Sequence, residues 1–286
     1  MSTANNSQLS TLNYQLPTGY KQTEVGVIPE DWEPTPLGEL ATFSSGGTPS
    51  RSNDDYWTGD IPWISAKSLR CFYIFHSDSN VTREAVAAGS KMAPIGSTLL
   101  LVRGSALHKE ILSGLVTGDV CFNQDVKALI PSRKIEPKYL TFVTRGKAGE
   151  LLKLVSSAGN TAGVLDTKLL KAFKIPLPPT VAEQEAIAGA LSDTDAWIES
   201  LEQLIAKKRR IKEGSMQALL TGKQRLPGFS GEWEERYIGD ITDITTGSRN
   251  TQDKIKDGQF PFFVRSQKVA LQQNLWVNSG SGKSPS

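Results

Sequence analysis

Cysteine, histidine and long apolar runs are all scarce in this chain of 286 residues. Cys71 and Cys121 are the only cysteines, which excludes a disulfide framework, and they lack the spacing of a metal site. His76 and His108 have no companion cysteines or paired carboxylates, so we predict neither a metal site nor a catalytic triad. No stretch approaches the roughly 18 apolar residues of a membrane span, and the polar opening does not resemble a secretion signal. We therefore expect a reduced, cytoplasmic protein with no membrane partner.

The sequence also lacks the motifs of a DNA methyltransferase and of a phosphate-binding loop. A DNA methyltransferase needs a glycine-rich cofactor turn and an Asn/Asp-Pro-Pro-aromatic motif, but the only Pro-Pro pair, Pro178 and Pro179, follows Leu177. The "GKS" near the end would need a glycine five places before Gly282 to form a phosphate-binding loop, and Val277 stands there. We predict that the chain itself catalyses no reaction and holds no cofactor.

The composition is that of a folded protein with a mild positive balance. Apolar residues make up 38% and charged residues 22%, and the net charge is +2. This balance is compatible with an anionic partner but does not require one.

After a polar, flexible segment over 1–19, short apolar runs separated by turn signals continue to about residue 175. The segments 96–104 ("GSTLLLVRG") and 125–131 ("DVKALIP") indicate strands, and 136–157 and 166–173 indicate helices. We predict an α+β domain with a mixed or mainly antiparallel sheet over 20–175, here called the N-terminal domain.

The region 176–228 changes to the pattern of one long helix. Thr180 followed by Glu183 is a capping box, and Gly222 with a proline beyond it marks a stop. These signals predict a helix over 181–220, roughly 60 Å long at 1.5 Å per residue.

Apolar residues recur along this helix in steps of three and four, as in a helix that packs against another helix. The predicted pairing interface consists of Ile187, Leu191, Ile198, Leu201, Leu204, Ile205 and Ile211. The basic run at 207–212 is either a solvated helix surface or a contact to phosphates or to a protein partner.

The chain then repeats its own beginning. Trp32 corresponds to Trp233 and Gly38 to Gly239 at one offset of 201, with acidic and apolar residues matching beside them. We interpret 229–286 as the truncated start of a second domain of the same kind, with a flexible tail.

This order of motifs resembles the specificity subunit of type I restriction-modification systems. The resemblance rests on "PLGEL" after Trp32, "GGTPS" (46–50), "IPWISAKSL" (61–69), "NQD" (123–125), "IPLPPTVAEQEAIAGAL" (175–191) and the "LLTGKQRLPGF" junction (219–229). It implies a non-catalytic subunit that reads half of a split site in double-stranded DNA and docks adenine methyltransferase subunits, beside a restriction subunit. S-adenosylmethionine would belong to the methyltransferase.

For a domain of this kind, the polar loops are the candidate DNA contacts, because forked or paired side chains read bases while small polar groups hold phosphates. Lys67, Arg103 and Gln124 are the preferred readers. The alternative is that these Gly-Ser-Thr loops only turn the chain. The full candidate set is Gly46, Gly47, Thr48, Arg51, Ser65, Lys67, Arg70, Arg103, Ser105, Asn123, Gln124, Asn160 and Thr161.

The chain departs from the family pattern because a second long helix is missing. We therefore expect two copies to pair their helices antiparallel, which gives a two-fold dimer and a palindromic split site. The alternative is an assembly scaffold of the same complex that does not read DNA.

Overall fold

A computed structural model describes residues 16–157, 162–245, 252, 259–263 and 270–272. The chain divides into two compact units, Met1–Lys208 and Arg209–Ser286. Two candidate site residues, Asn160 and Thr161, lie outside the described residues, as does the "GKS" segment near the end.

The strands of the first unit are short and follow one another closely. In chain order they are β1 Tyr20–Thr23, β2 Gly26–Pro29, β3 Glu33–Pro36, β4 Ala41–Ser45, β5 Ile61–Ile64, β6 Tyr73–Ile74, β7 Asn80–Val81, β8 Met92–Ala93, β9 Thr98–Leu101, β10 Arg103–Gly104, β11 Ser113–Val116, β12 Val120–Phe122, β13 Val126–Pro131, β14 Val155–Ser157, β15 Gly163–Leu165 and β16 Lys174–Leu177.

The helices of the first unit are α1 Leu37–Leu40, α2 Arg83–Gly89, α3 Pro137–Gly146, α4 Ala148–Leu152 and α5 Thr167–Ala172, with 3-10 turns at Asp54–Trp57 and Ser105–His108. The long helix α6, Val181–Leu220, continues across the boundary between the units. The described elements of the second unit are α7 Ile238–Ile241, β17 Phe260–Phe262 and β18 Ala270–Gln272.

The core of the N-terminal domain is a five-stranded sheet in the order β4-β13-β9-β11-β6. Its pairs are antiparallel except β11 with β6, so the predicted α+β class with a mixed sheet is confirmed. Every residue of β9 is buried, as expected for an uninterrupted apolar run in the middle of a covered sheet. Both predicted strands, β9 and β13, are present.

The helix predicted over 136–157 is only partly correct. Glu136 caps α3 by accepting the Tyr139 N–H at 2.5 Å, and α4 follows directly. The last three residues instead form β14, whose backbone pairs with β15. Sheet pairing with β15, only a few residues further along the chain, therefore overrides the helical pattern at this point.

The long helix has the predicted bounds, 181–220, and Gly214 does not interrupt it. The Thr180 hydroxyl accepts the Glu183 N–H at 3.2 Å, which is half of a capping box. The Glu183 carboxylate accepts the Trp32 indole N–H at 3.2 Å, so it connects the helix start to the domain. Gly222, at φ +71°, ends the helix in the left-handed conformation that favours glycine.

Buried contacts fix the first turns of α6 to the N-terminal domain. Gln184 is 1% exposed, accepts the Glu136 N–H at 2.9 Å and donates to the carbonyls of Lys134 and Pro178 at 3.2 Å. Ala188 is also buried in the core. The helix start is therefore part of the domain.

The sequence repeat is also a structural repeat. Leu37–Leu40 and Ile238–Ile241 are both four-residue helices at the same offset, each preceded by extended backbone with ψ near 140°. Their environments differ, because Leu37 is fully buried whereas Ile238 is 68% exposed.

Candidate nucleic-acid interface

Four loops of the N-terminal domain follow strands that end on the same side of the domain. The end of β4 pairs with the start of β13, since Ser45 lies opposite Lys127, and β9 also ends there, with Leu101 opposite Val126. β5 and β12 are parallel neighbours in a second, four-stranded sheet of the order β7-β5-β12-β8, so the loops after Ile64 and Phe122 leave that sheet in the same direction. We call the loops after β4, β5, β9 and β12 the edge loops.

Direct hydrogen bonds connect the edge loops. The Gly47 N–H donates to the Phe122 carbonyl at 2.9 Å, and the Asn123 N–H donates to the Ile64 carbonyl at 3.0 Å. The Val102 N–H donates to the Asp125 carbonyl at 2.8 Å. Segments that are far apart in the sequence therefore lie next to one another here.

The first edge loop, 46–53, passes so close to the end of β12 that a side chain on Gly46 would not fit. A Cβ atom on Gly46 would lie 2.0 Å from the Phe122 carbonyl oxygen, so only glycine fits. The Thr48 hydroxyl then donates to the Gln124 side-chain oxygen at 2.5 Å. The structure thus brings together two predicted site residues, Thr48 and exposed Gln124.

Arg51 is exposed and stacks on tryptophan. Its guanidinium carbon lies 3.6 Å from the ring centroid of Trp57 and 4.9 Å from that of Trp63. The two indole N–H groups donate to the carbonyls of Ser50 and Gly47, both at 3.1 Å. Trp57 is half-buried beside Arg51, and Trp63 is buried beneath it. The sequence prediction did not include them because it considered only polar residues and glycine.

Among the remaining predicted readers, Lys67 has an exposed side chain on the loop after β5. Arg103 is also exposed and is the first residue of β10, two residues after the end of β9. Ser65 is half-buried and closes a turn through the Ser68 N–H. Ser105 is exposed at the start of a 3-10 turn. Arg70 is exposed and forms an ion pair with Glu110 at 3.3 Å.

Asn123, which is also a predicted DNA contact, has a buried side chain. It is only 7% exposed, and its side-chain oxygen accepts the Asp125 N–H at 3.2 Å. Its side chain therefore shapes the turn that presents its neighbour Gln124.

The ionisable groups with shifted pKa values have structural explanations. Burial raises the pKa of the Cys121 thiol, and a hydrogen bond with Ser90 opposes part of that rise. Burial, and then the charge of Glu183, raise the pKa of Tyr139, whose hydroxyl donates to the Pro176 carbonyl at 2.8 Å. Within the described residues, no group of three His, Cys, Asp or Glu side chains could hold a metal ion. No helix in the part of the chain that the structure describes is long and apolar enough to cross a membrane.

The predicted helix-pairing residues differ in their burial. Ile187 packs against the core of the N-terminal domain, so it is a domain residue and not part of a free pairing face. Further along α6 the apolar side chains are largely exposed: Leu191 42%, Ile198 51%, Leu201 45%, Leu204 49%, Ile205 50% and Ile211 52%. We call these six residues the helix face.

An aromatic groove of about 980 Å³ borders the start of the helix face. Phe72, Phe75 and Phe142 line its domain side, and Leu191 and Ile198 line its helix side. Phe75 is 57% exposed, so the groove presents aromatic surface beside an apolar stripe.

Comparison with known sequences gives one consistent result. Residues 29–208 match the family described as Type I restriction modification DNA specificity domain. The type I restriction enzyme EcoR124I/EcoR124II specificity subunit of Escherichia coli is 32% identical over 179 residues, 62% of this chain and 44% of that protein. The MjaIX specificity subunit of Methanocaldococcus jannaschii is 28% identical over 276 residues, 89% of this chain and 62% of that protein. The chain thus spans about half the length of the curated relatives it matches.

Solved structures with a similar fold include a chain from work on complex assembly and conformational transition of the type I R-M system. It aligns with a TM-score of 0.51 at 20% identity, over 67% of this chain and 45% of its own length. The crystal structure of a type I restriction-modification S subunit from M. genitalium aligns with a TM-score of 0.51 at 16% identity, over 85% and 62%. At these identities the likeness supports the fold alone.

Proposed function

The chain belongs to the type I restriction-modification DNA specificity domain family, and we propose that it is a non-catalytic subunit that reads double-stranded DNA for an adenine methyltransferase. The match covers the N-terminal domain and the first part of α6. The proposed reading surface is the set of edge loops.

The observation that supports this proposal best is the convergence of the edge loops. Lys67, Arg103 and Gln124 come from three separate strand ends, and hydrogen bonds connect their loops. Such side chains carry the donors and acceptors that match base edges in the major groove. A surface assembled from four loops can differ in sequence while the sheet below it stays the same.

The test is to co-purify the chain with its cognate methyltransferase subunit and to map methylated adenines in a bacterial genome by long-read sequencing. We expect one sequence motif, and we expect Arg103→Ala to relax or abolish it. Arg133→Ala is the matched control, because Arg133 is exposed and follows β13 at the opposite end of the sheet. Methylation without any motif, from a stable complex, would contradict the proposal.

We further propose that two copies pair through the helix face. The exposed apolar residues continue from Leu191 to Ile211, roughly five and a half turns of helix, which is more than isolated surface side chains explain. Charge along the helix is divided as well. The acidic part holds Glu183, Glu185, Asp193, Asp195, Glu199 and Glu202 without a basic residue, and the basic part holds Lys207, Lys208, Arg209, Arg210 and Lys212.

Antiparallel pairing places the acidic part of each copy opposite the basic part of the other, whereas parallel pairing places like charges together. A two-fold dimer presents two identical domains, so its DNA target would be a split palindrome. The aromatic groove lies beside the acidic part and extends the apolar surface that the second helix would cover.

Light scattering at micromolar concentration, with and without the methyltransferase, tests the pairing. We expect twice the monomer mass for the wild type and a single-chain mass for Leu201→Lys. Ser200→Lys adds the same charge beside the helix face and should keep the dimer. A monomeric wild type under both conditions would show that the pairing is wrong.

Docking of methyltransferase subunits, and of a restriction subunit, is part of the same proposal, since the named relatives are subunits of restriction enzymes. A second candidate is an assembly scaffold that does not read DNA. The exposed helix face and the aromatic groove favour it, because both suit protein partners. A stable complex that methylates no motif would support this candidate.

A further inference from the structure

The first edge loop concentrates groups that bind oxyanions. Three hydroxyls and one guanidinium lie within five consecutive residues, 48–52, but the Thr48 hydroxyl already donates to Gln124, so the groups that remain are the Arg51 guanidinium and the hydroxyls of Ser50 and Ser52. The hydroxyls of Ser50 and Ser52 are 2.8 Å apart, so they converge on one side of the loop. Asp54 and Asp55 begin the next turn, yet no salt bridge among the described residues involves Arg51.

Trp57 holds the guanidinium of Arg51 in place. At 3.6 Å from the ring centroid, the flat face of the guanidinium is covered by the indole. Its N–H donors lie in its own plane, so stacking leaves them free to bind another group. A stacked arginine also loses less freedom when it binds, because its position is already restricted.

The backbone below Arg51 is fixed by independent contacts. Trp57 donates its indole N–H to the Ser50 carbonyl, and Trp63 donates to the Gly47 carbonyl, both at 3.1 Å. Thr48 is bonded to Gln124 on the neighbouring loop. Trp57 therefore positions both the loop and the side chain that it carries.

We propose that residues 48–52 form a binding site for a DNA backbone phosphate. Arg51 binds the phosphate, and Trp57 positions the Arg51 side chain. This proposal rests on the proposed function and specifies one part of its surface. Short hydroxyls beside a guanidinium suit the tetrahedral oxygens of a phosphate, whereas base reading needs long side chains that reach into a groove. The site should strengthen binding to every sequence and leave the choice of sequence to other edge loops.

The experiment uses the full chain in complex with its methyltransferase and two duplexes of equal length, one with the mapped motif and one scrambled. Fluorescence anisotropy gives Kd over a range of salt concentrations. We expect Arg51→Gln to weaken binding to both duplexes by a similar factor and to reduce the log–log salt slope by about 1. The methylated motif should stay the same, and Arg133→Gln should change neither quantity.

Substitution of Trp57 separates positioning from general packing. Trp57→Leu should reproduce much of the Arg51→Gln loss, and Trp57→Phe should restore binding because it keeps an aromatic face. Equal losses for Trp57→Leu and Trp57→Phe would overturn the positioning role. Because Arg51 is exposed, Arg51→Gln tests the phosphate site even if Trp57 variants unfold.

Two further results would overturn the phosphate site itself. An unchanged salt slope for Arg51→Gln would do so, as would a loss limited to the motif duplex with an altered methylation motif, which is the result of a base contact. If the wild-type complex binds neither duplex, both the proposed function and this site are wrong. The wild-type measurement alone reveals that outcome, before any variant is made.

Discussion

The apolar side chains of the N-terminal domain are buried, whereas those of the helix face are largely exposed. Leu99, Leu100 and Leu101 in the central strand are fully buried, whereas Leu201 and Ile198 on α6 are 45% and 51% exposed. The domain thus completes its own core, and α6 beyond its first turns does not. The domain therefore folds around a core of its own, whereas the helix face stays accessible, as the proposed pairing of two helices requires.

The largest expected effect on stability comes from replacing one leucine with alanine in each region. Leu100→Ala should lower the free energy of unfolding by about 2–5 kcal/mol, because it leaves a cavity in the sheet core. Leu201→Ala should change it by no more than about 0.5 kcal/mol in dilute monomer. Urea unfolding followed by circular dichroism measures both values. Equal losses would show that the helix face is already buried within one chain.

A second, smaller effect compares the start of α6 with its exposed part. Gln184→Leu leaves the Glu136 N–H and two carbonyls without partners and should cost about 1–3 kcal/mol. Gln203→Leu is the matched control, since Gln203 is exposed and bonds only Glu199 among the described residues. Thermal unfolding of the two variants should therefore give a clearly lower Tm only for Gln184→Leu.

The smallest perturbation is chemical labelling of the two cysteines, because it compares their reactivity in the wild-type protein. Cys71 is exposed and borders the aromatic groove, whereas Cys121 is fully buried and burial raises its pKa. An alkylating reagent at pH 8 should modify Cys71 at least tenfold faster, because a raised pKa lowers the thiolate fraction and burial blocks access. Peptide mass spectrometry resolves the two sites. Fast labelling of Cys121 in native protein would contradict the packed arrangement around β12.

Self-association should also protect Cys71 if the second helix covers the groove. Labelling of wild type and of the Leu201→Lys variant at one protein concentration compares paired with unpaired chains. Slower labelling of the wild type is the expected result, and identical rates would mean that the groove stays open in the dimer.

Local signals explain why much of the fold could be predicted from the sequence. The bounds of α6 follow from Thr180 and Gly222, and β9 follows from an uninterrupted apolar run. The repeat of α1 as α7 follows from matched residues at one offset. Each of these features depends on neighbours in the sequence, so no tertiary information is needed.

The features that local patterns did not reveal depend on contacts that form only when the chain folds. β14 forms because β15 pairs with it, and Ile187 is half-buried because the domain core lies beside it. The side chain of Asn123, a predicted DNA contact, also holds a turn. The stacking of Arg51 on Trp57 needs a loop that folds back on itself, which composition alone does not reveal.

We propose that the N-terminal domain, and not the helix, chooses the DNA target. Residues 20–175 can be exchanged for the corresponding domain of a relative with a different known target, with residues 176–228 left unchanged. Methylation mapping of the hybrid, in complex with the original methyltransferase, should give a motif built from the donor's half-site. An unchanged motif would contradict the account and assign target choice to another part of the complex.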